Sequence, residues 1–481
     1  MNSIFNILIN TKGNNVRLAD IYFNEKIESI IFKSDEIDWD GIDSYSKSKK
    51  LFNVEDNEIS TDSKPDFING DFNLLIPGAI DPHVHFNTPG FEFRDDFEHA
   101  SRAAAFGGVT TIIDMPCTSI PPVTNLENFN VKLNELHSRS LIDFAFWGGI
   151  SGTDFNDLSK VKKQINDLSE AGIAGFKVYV ISGMKDFTDL TYEQIEETAY
   201  LVKQTNKPLA VHAEDKSTIL ARREYCKKKN MNSWADYCSA RNAESERIAV
   251  SRLIKIAERT ECRIHIVHLS SKLSLDLISE ARKKGISITS ETCPHYLQFT
   301  QNDFENIEIR NFLKTAPPVK HIEDQNALWK GLKNNELEFV TTDHAGCNPD
   351  KEKTSNNFWE VYGGIPSVEF RVPYLLSEGF LKKRLNMQQT INLLSTNAAK
   401  FFKLENKGEI IKGKDADFAL VDLFKSEKID SKNMHSKGKY SPFNGMVFNS
   451  IVQKTFLRGE IIMNRSDNSF GNIGYGKFIK L

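Results

Sequence analysis

Asp81-Pro82-His83-Val84-His85 directly follows the apolar run Leu74-Leu75-Ile76-Pro77-Gly78-Ala79-Ile80. In a β-strand, residues two positions apart point to the same side, so the two imidazoles would converge at the end of a strand. Neutral imidazole is the usual nitrogen ligand of zinc and similar ions. The motif is short, and two surface histidines are the alternative interpretation. It predicts a metal site if further ligands follow in the chain.

Four later apolar runs each carry one such polar group. Lys177 stands in the middle of one run, His212 and His268 lie near the ends of two others, and Asp343 ends the fourth. This pattern is typical of parallel strands whose middles fill a barrel core and whose carboxyl ends line a site. We therefore expect these four side chains and the two histidines of the first motif to converge at one mouth of a barrel.

The order of strand-like and helical patterns predicts the domain organisation. Between about residues 77 and 400 the two patterns alternate, which favours a (β/α)8 TIM barrel. The flanks are short strand runs without a long helical period, and we expect them to form one small β-sandwich domain from both chain termini. The eight predicted barrel strands are residues 78–85, 109–115, 142–149, 175–181, 209–213, 263–269, 286–291 and 339–343. The predicted divisions are sandwich residues 1–75, barrel residues 76–404 and sandwich residues 405–481.

Composition limits the class of protein and of partner. The chain of 481 residues is 40% hydrophobic and 26% charged, which is enough for a large core and more than one small domain. A net charge of -4 without a basic stripe argues against nucleic acid or a membrane as a partner. No apolar stretch is long enough to span a bilayer. Six scattered cysteines suit reduced thiols, so we expect a cytoplasmic protein.

Lys177 is unusual because it lies between apolar residues of a predicted buried strand, where burial disfavours an ammonium group. Two neighbouring metal ions need an anionic bridge, and carbon dioxide can convert an amine to a carbamate that supplies it. We therefore predict N6-carboxylysine at Lys177, with an exposed strand lysine as the alternative. His265 lies three positions before His268 and would face the other way in a strand, so we predict a structural role for it. Structural or supporting roles are also predicted for His99, His137, His295 and His344.

With these motifs, the chain resembles the amidohydrolase superfamily, in the branch of cyclic amide hydrolases that contains dihydroorotase, hydantoinase and allantoinase. The resemblance covers nearly the whole chain. The motifs that carry it, in the family's order, are residues 77–85, 103–111, 175–177, 211–214, 268–271, 291–296 and 414–417. The resemblance implies a small-molecule cyclic amide as substrate and a homodimer or homotetramer as the assembly.

The resemblance also implies a binuclear centre of two divalent metal ions. Zinc is the expected metal, and iron, cobalt and manganese are alternatives. The ligands implied are His83, His85 and Asp343 on the first metal, His212 and His268 on the second, and carboxylated Lys177 on both. In the family a hydroxide between the metals attacks a ring amide carbonyl. Asp343 would take its proton and pass it to the leaving nitrogen.

The expected substrate contacts differ from those of dihydroorotases. Those enzymes hold a substrate carboxylate with an arginine at the position of Asn87, and a site without this arginine loses a bidentate hold on the carboxylate. Their three other usual contacts are also replaced, at the positions of Cys117, Ala316 and Cys347. These replacements make dihydroorotate a poor candidate for the substrate. The substrate contacts that we predict are Asn87, Cys117, Ala316, Cys347, Gly363 and Gly364.

Within the branch, the chain is most similar to allantoinases, which tolerate asparagine at the position of Asn87. The similar segments are residues 146–149, 291–296, 362–365, 439–443 and 455–459. Hydrolysis of allantoin to allantoate is therefore the first expectation, although residues 343–347 depart from the usual Asp-His-Ser-Pro-Cys. A hydantoinase or dihydropyrimidinase is the alternative, but Ser182 replaces the tyrosine that often follows the bridging lysine there. A non-catalytic scaffold is the remote alternative, since such relatives usually lose metal ligands.

Overall fold

The computed structural model describes residues 1–42, 45–52 and 67–481, and its fold is mixed α/β. The chain opens with strands of a sheet that its C-terminal residues complete. These strands are β1 (Asn2–Asn10), β2 (Asn15–Phe23), β3 (Ile27–Phe32), β4 (Ile37–Asp38), β5 (Phe67–Asn69) and β6 (Leu74–Pro77). The predicted division at residues 1–75 includes residues 43–44 and 53–66, which lie outside the described residues.

Short buried parallel strands alternate with helices in the middle of the chain. They are β7 (Ala79–His85), β8 (Val109–Asp114), β9 (Asp143–Phe146), β10 (Gly148–Gly149), β11 (Phe176–Tyr179), β12 (Leu209–His212), β13 (Ile264–Ile266), β14 (Ile288–Ser290) and β15 (His344–Ala345). One sheet has the order β15–β7–β8–β9, and a second runs from β10 to β14 in sequence order. Every pairing in both is parallel.

The first seven predicted barrel segments each contain a strand in the described residues, with Trp147 interrupting the third between β9 and β10. The prediction of a strand at residues 339–343 is wrong. Val340 makes one isolated bridge with Thr292, and the strand β15 begins at His344 instead. The physical reason is the backbone of Asp343, whose φ of 48° lies in the left-handed region and cannot continue a strand.

The last strands return to the first sheet. They are β16 (Phe418–Asp422), β19 (Ile451–Leu457), β20 (Glu460–Asn464) and β21 (Ser469–Phe470), whereas β17 (Glu427–Lys428) and β18 (Val447–Phe448) pair with each other in a separate two-stranded sheet. The sheet has the order β21–β20–β19–β16–β6–β1–β2–β3, with β4 on β2 and β5 on β1. The two ends of the chain therefore meet where β6 pairs with β16 on one side and β1 on the other. The Phe23 ring packs edge to face on Phe418 and Phe456 there.

The helices pack against the parallel strands through apolar faces. In the helix Ala243–Thr260, the side chains of Ala249, Leu253 and Ile256 are buried at helical spacing. The described helices are α1 (Tyr45–Leu51), α2 (Phe97–Phe106), α3 (Leu126–Leu136), α4 (Leu158–Ala171), α5 (Tyr192–Lys203), α6 (Lys216–Lys228), α7 (Trp234–Ala240), α8 (Ala243–Thr260), α9 (Lys272–Lys283), α10 (Pro294–Gln298), α11 (Ile322–Lys333), α12 (Pro349–Glu352), α13 (Arg371–Tyr374), α14 (Met387–Ile391) and α15 (Asn397–Phe401). Wider π-type segments, Leu375–Leu381 and Asn392–Thr396, follow α13 and α14. Within the described ranges, no helix combines the length and apolar character needed to cross a membrane.

Candidate metal centre and substrate pocket

The first group of candidate ligands lies where β7 and β15 run side by side. His83 and His85 occupy the carboxyl end of β7, and Asp343 immediately precedes β15. Nε2 of each histidine is 3.1 Å from Asp343 Oδ1. One ligand atom from each residue lies within 4.8 Å of the others. Two imidazoles and a carboxylate at this spacing fit a divalent metal ion.

The second group lies beside the first on neighbouring strands. His212 ends β12, Lys177 lies in β11, and His268 follows β13. His212 Nδ1 and His268 Nε2 are 3.0 Å apart, and the His268 ring centroid is 5.5 Å from that of His83. In the part of the chain that the structure describes, Lys177 Nζ and His268 Nδ1 are buried without a hydrogen-bond partner. Buried polar atoms are nearly always paired, so these atoms fit ligand positions.

Two buried glutamates orient the histidines. Glu291 accepts from His83 Nδ1 and, at 3.1 Å, from His265 Nε2. Glu214 is 2.9 Å from His212 Nε2 and also accepts from Arg241. A carboxylate on the second ring nitrogen fixes the tautomer and direction of a metal-binding imidazole. Neither glutamate is among the predicted site residues, although both lie within the family motifs at residues 211–214 and 291–296.

Burial and neighbouring charge shift several pKa values in the cluster. Burial lowers the pKa of Lys177 to about 8. Burial by itself would raise the pKa of Asp343, but the charge of His83 and hydrogen bonds from His83 and His85 hold it well below its usual value. Burial also lowers the pKa of His268 well below its usual value. For His268 and Asp343 these shifts favour the neutral imidazole and the ionised carboxylate, which are the forms that bind a metal. The shifts of His83 and His85 are opposite: burial alone would lower both pKa values, but Glu291 raises that of His83 and Cys117 raises that of His85 to about 10.

The backbone is strained at two of the candidate ligands. His268 has a φ of 40° and Asp343 a φ of 48°, in the left-handed region that side chains with a Cβ rarely adopt. Such conformations cost about 1–3 kcal/mol each and persist where the surrounding structure holds them. Here the left-handed conformations of His268 and Asp343 occur at the ends of the two apolar runs and change the direction of the backbone there.

A cavity of about 250 Å³ opens beside the two groups. It is lined by the candidate ligands His85, His212, His268 and Asp343. The predicted substrate contacts that also line it are Cys117, Ala316, Gly363 and Gly364. Among the histidines with predicted structural roles, His344 Nε2 lies 3.2 Å from Asp95 and His99 Nδ1 lies 2.8 Å from Asp96. His295 differs, because neither of its buried ring nitrogens has a hydrogen-bond partner among the described residues.

Two predicted substrate contacts do not line this cavity. Asn87 is fully buried with a φ of 60°, and its Nδ2 donates to the carbonyl of Gly346 at 3.4 Å. Cys347 is also fully buried, and its backbone lies against Gly438. Their roles in substrate binding stay predictions.

Other side chains that we had not predicted line the cavity, namely Arg94, Arg241, Tyr179 and Tyr362. The Tyr179 ring stacks on His212 at 5.1 Å between centroids, and its hydroxyl lies 3.1 Å from Cys117 Sγ. Arg94 lies in the loop between β7 and α2, away from any strand end. The available sequence signal was its position directly after the aromatic pair Phe91 and Phe93.

Comparison with known proteins adds three findings. A model described as the Amidohydrolase family matches residues 74–462. An allantoinase of Rubrobacter xylanophilus is 36% identical over 394 residues, which cover 81% of this chain and 84% of that protein. An allantoinase of Deinococcus radiodurans is 34% identical, over 82% of this chain and 85% of that protein.

Solved structures resemble the whole chain. An L-hydantoinase (dihydropyrimidinase) from Arthrobacter aurescens has a TM-score of 0.87 and 26% sequence identity, and the match covers 100% of this chain and 99% of that chain. The family model spans most of the sequence, and the curated relatives match over most of their own lengths. This chain therefore belongs to the amidohydrolase family.

Proposed function

We propose that this protein hydrolyses the ring amide of allantoin to give allantoate. The observation that carries the proposal is the convergence of four histidines, an aspartate and a buried lysine beside one cavity. The lysine nitrogen has no hydrogen-bond partner among the described residues. The two allantoinases support the choice of substrate, because each is similar over more than four fifths of this chain.

The proposal includes two divalent metal ions, zinc first and iron, cobalt or manganese as alternatives. Their holders would be His83, His85 and Asp343 for one ion, His212 and His268 for the other, and Lys177 as a carbamate for both. When bound, the ions would lower the pKa of a water molecule and polarise the ring carbonyl. The buried Lys177 Nζ, which has no hydrogen-bond partner among the described residues, supports the carbamate, since an unpaired ammonium is costly to bury.

Asp343 is the proposed general base and general acid. Its Oδ1 faces Nε2 of His83 and of His85 at 3.1 Å, which leaves Oδ2 to take a proton. This oxygen would accept a proton from the attacking water and deliver it to the leaving ring nitrogen. Glu291 holds the His83 ring in one orientation, so the groups around the carboxylate keep their positions during the reaction.

We also propose that residues 76–404 form a closed (β/α)8 barrel and that residues 1–75 and 405–481 form a β-sandwich. The parallel order β15–β7–β8–β9 and the second run from β10 to β14 support the barrel. Trp147 alone separates β9 from β10, and the Thr292–Val340 bridge links the segment after β14 to the segment before β15. The shared terminal sheet supports the sandwich.

Ring opening of hydantoin or dihydrouracil is the second candidate, because the structural match to the L-hydantoinase spans both chains. Ser182 stands at the position where many hydantoinases have a tyrosine, which weakens this candidate. Its hydroxyl donates to the carbonyl of Phe187 at 2.6 Å. Dihydroorotate has less support, since Asn87 replaces the arginine that would hold its carboxylate. A non-catalytic scaffold has the least support, because every candidate ligand is present.

The test is ring opening of allantoin, hydantoin, dihydrouracil and dihydroorotate by the purified, metal-loaded protein. We expect turnover of allantoin and a loss of about 100- to 10,000-fold in Asp343→Asn, because general acid-base catalysis contributes about that much. Asp186→Asn changes an exposed aspartate and is the matched control. Turnover of hydantoin or dihydrouracil without allantoin would support the second candidate instead.

The assembly and the compartment belong to the same proposal. We propose a homodimer or homotetramer, which light scattering of the purified protein would distinguish from a monomer. We propose a cytoplasmic location because all six cysteines are buried free thiols, which persist in a reducing compartment.

A further inference from the structure

Arg94 presents a guanidinium to the same cavity as the candidate metal ligands, yet no step of the proposed reaction uses it. It lies in the loop between β7 and α2, on a different segment from Arg241, the other arginine that lines the cavity. Arg241 donates to Glu214, which in turn holds His212, so Arg241 acts on a candidate metal ligand. Among the described residues, the hydrogen bonds of Arg94 go to Glu352, which holds no candidate metal ligand.

Contacts with four side chains, Glu352, Tyr362, Phe93 and Phe91, hold Arg94 in one orientation. Its Nε and Nη2 donate to Glu352 Oε1 at 2.8 and 2.7 Å. The guanidinium carbon lies 4.3 Å from the centroid of the Tyr362 ring and 5.2 Å from that of Phe93. Glu352 is itself fixed, since its other oxygen accepts from the backbone of Asn348 at 3.0 Å. A donor held in this way loses little conformational entropy when a ligand binds.

One nitrogen of this guanidinium is left for a ligand. Arginine has five N–H donors, and the hydrogen bonds of Arg94 within the described residues use Nε and Nη2 but not Nη1. The side chain is 21% exposed, so it is partly withdrawn from water yet reachable from the cavity. Glu352 already balances its charge, which favours a neutral carbonyl oxygen over a second carboxylate as the partner of Nη1.

We propose that Arg94 binds the exocyclic substituent of the ring substrate by donating from Nη1 to a neutral carbonyl oxygen, such as that of the ureido group of allantoin. This specificity-determining contact rests on the proposed function. With the ring amide at the candidate metal ligands, the substituent occupies the side of the cavity formed by Arg94 and Tyr362. Unsubstituted hydantoin has no such group and would gain nothing from Arg94.

The experiment compares kcat/KM for allantoin and for hydantoin in the metal-loaded protein and in Arg94→Gln. A charged donor to a neutral carbonyl predicts a loss of about 10- to 100-fold for allantoin in the variant, with hydantoin changed less than about twofold. Arg94→Lys, which keeps the charge without the planar fork, should lie between the two. Arg102→Gln is the matched control, because Arg102 pairs with Glu98 and lies over the Phe470 ring outside the cavity.

The ratio of the two substrates separates binding from a structural role. If Arg94 merely supported the Glu352 segment, both substrates would lose activity in parallel and the ratio would not move; that result, or no change for either, overturns the proposal. A hydantoin carrying a carboxymethyl group forms a third arm. A larger loss for this anionic ring than for allantoin would overturn the preference for a neutral oxygen.

Calorimetry can compare the affinities of the protein for two ring-opened products, which tests the same contact without turnover. Allantoate carries one ureido group more than N-carbamoylglycine, and we expect the tighter binding of allantoate to shrink about 10- to 100-fold in Arg94→Gln. Equal affinity of the two products for the unaltered protein would overturn the proposal. If the unaltered protein hydrolyses hydantoin but not allantoin, the proposed function fails, while the product-binding ratio still decides the role of Arg94.

Discussion

Lys177 is the most unusual single residue of the candidate centre. Its side chain is completely buried in β11, and Nζ has no hydrogen-bond partner in the described part of the chain. An ammonium group in this position would carry a large desolvation cost. A carbamate is an anion, and two neighbouring metal cations would stabilise it. Burial lowers the pKa of Lys177 to about 8. A larger fraction of Lys177 is therefore in the neutral amine form, which reacts with carbon dioxide, than at a surface lysine.

At this scale we predict that Lys177→Ala loses bound metal. Elemental analysis should find about two divalent ions per chain in the unaltered protein and fewer than about one in the variant, since an anionic bridge holds both ions. The exposed Lys160→Ala is the control and should keep its metal. A variant with full metal content would contradict the carbamate, as would the absence of a carbamate signal from labelled bicarbonate in the unaltered protein.

Among the elements, the irregular segment 358–364 shows how lysines can replace strand partners. Nζ of Lys314 donates to the carbonyls of Phe358, Trp359 and Val361. Nζ of Lys353 donates to two further carbonyls in the same segment, at 2.8 and 3.0 Å. Buried backbone carbonyls need partners, and the N–H groups of these two lysine side chains supply them where no β-ladder does. The segment carries three cavity-lining residues, so its shape sets the shape of the pocket.

Helix α2, which follows the Arg94 loop, depends on its N-terminal cap. Asp96 accepts from the backbone of His99 at 2.9 Å, and burial that would raise its pKa is outweighed by His99, so the pKa falls to about 2. We predict that Asp96→Ala lowers the free energy of unfolding by about 1 kcal/mol at neutral pH. Urea denaturation measures the difference.

The sign of the pH dependence follows from the lowered pKa of Asp96. Its contribution is complete above the ordinary aspartate value of 3.8 and is lost as the pH falls through about 2. The difference between the two proteins should therefore shrink as the solution is acidified. A difference that grows on acidification would contradict this account of the cap.

For the whole molecule, a buried ionic network joins the parallel strands to the terminal sheet. Nζ of Lys407 lies 2.9 Å from Asp143 in β9 and 2.6 Å from Asp417 beside β16. Arg458, after β19, also pairs with Asp143. Burial alone would lower the pKa of Lys407, but Asp417 and Asp143 raise it above its usual value. Oppositely charged side chains therefore pair where the parallel strands meet the terminal sheet.

We predict that Lys407→Met destabilises the protein by about 3–5 kcal/mol, because two buried carboxylates lose a shared counter-ion. Denaturant unfolding monitored by fluorescence provides the measurement. Lys425→Met removes an exposed lysine that pairs with Asp422 and should change stability by less than about 1 kcal/mol. An equally small effect of Lys407→Met would mean that the network does not couple the two parts.

Local patterns in the sequence predicted a large part of the fold. Apolar runs predicted seven segments that contain strands, and the alternation of strand-like and helical patterns predicted the mixed α/β fold. The failure at residues 339–343 has a local cause, the left-handed backbone of Asp343, which no apolar pattern encodes. The motifs also identified the amidohydrolase family, which the family model confirms.

The sequence by itself determined the order of the elements, the family and the residue types available for metal chemistry, because these depend on spacing along the chain. Only the tertiary structure decided that Glu291 joins His83 to His265, and that Arg94 meets Glu352 and faces the cavity. Those partners lie far apart in the sequence. Their contact depends on how strands and loops pack in space, so no local periodicity reveals it.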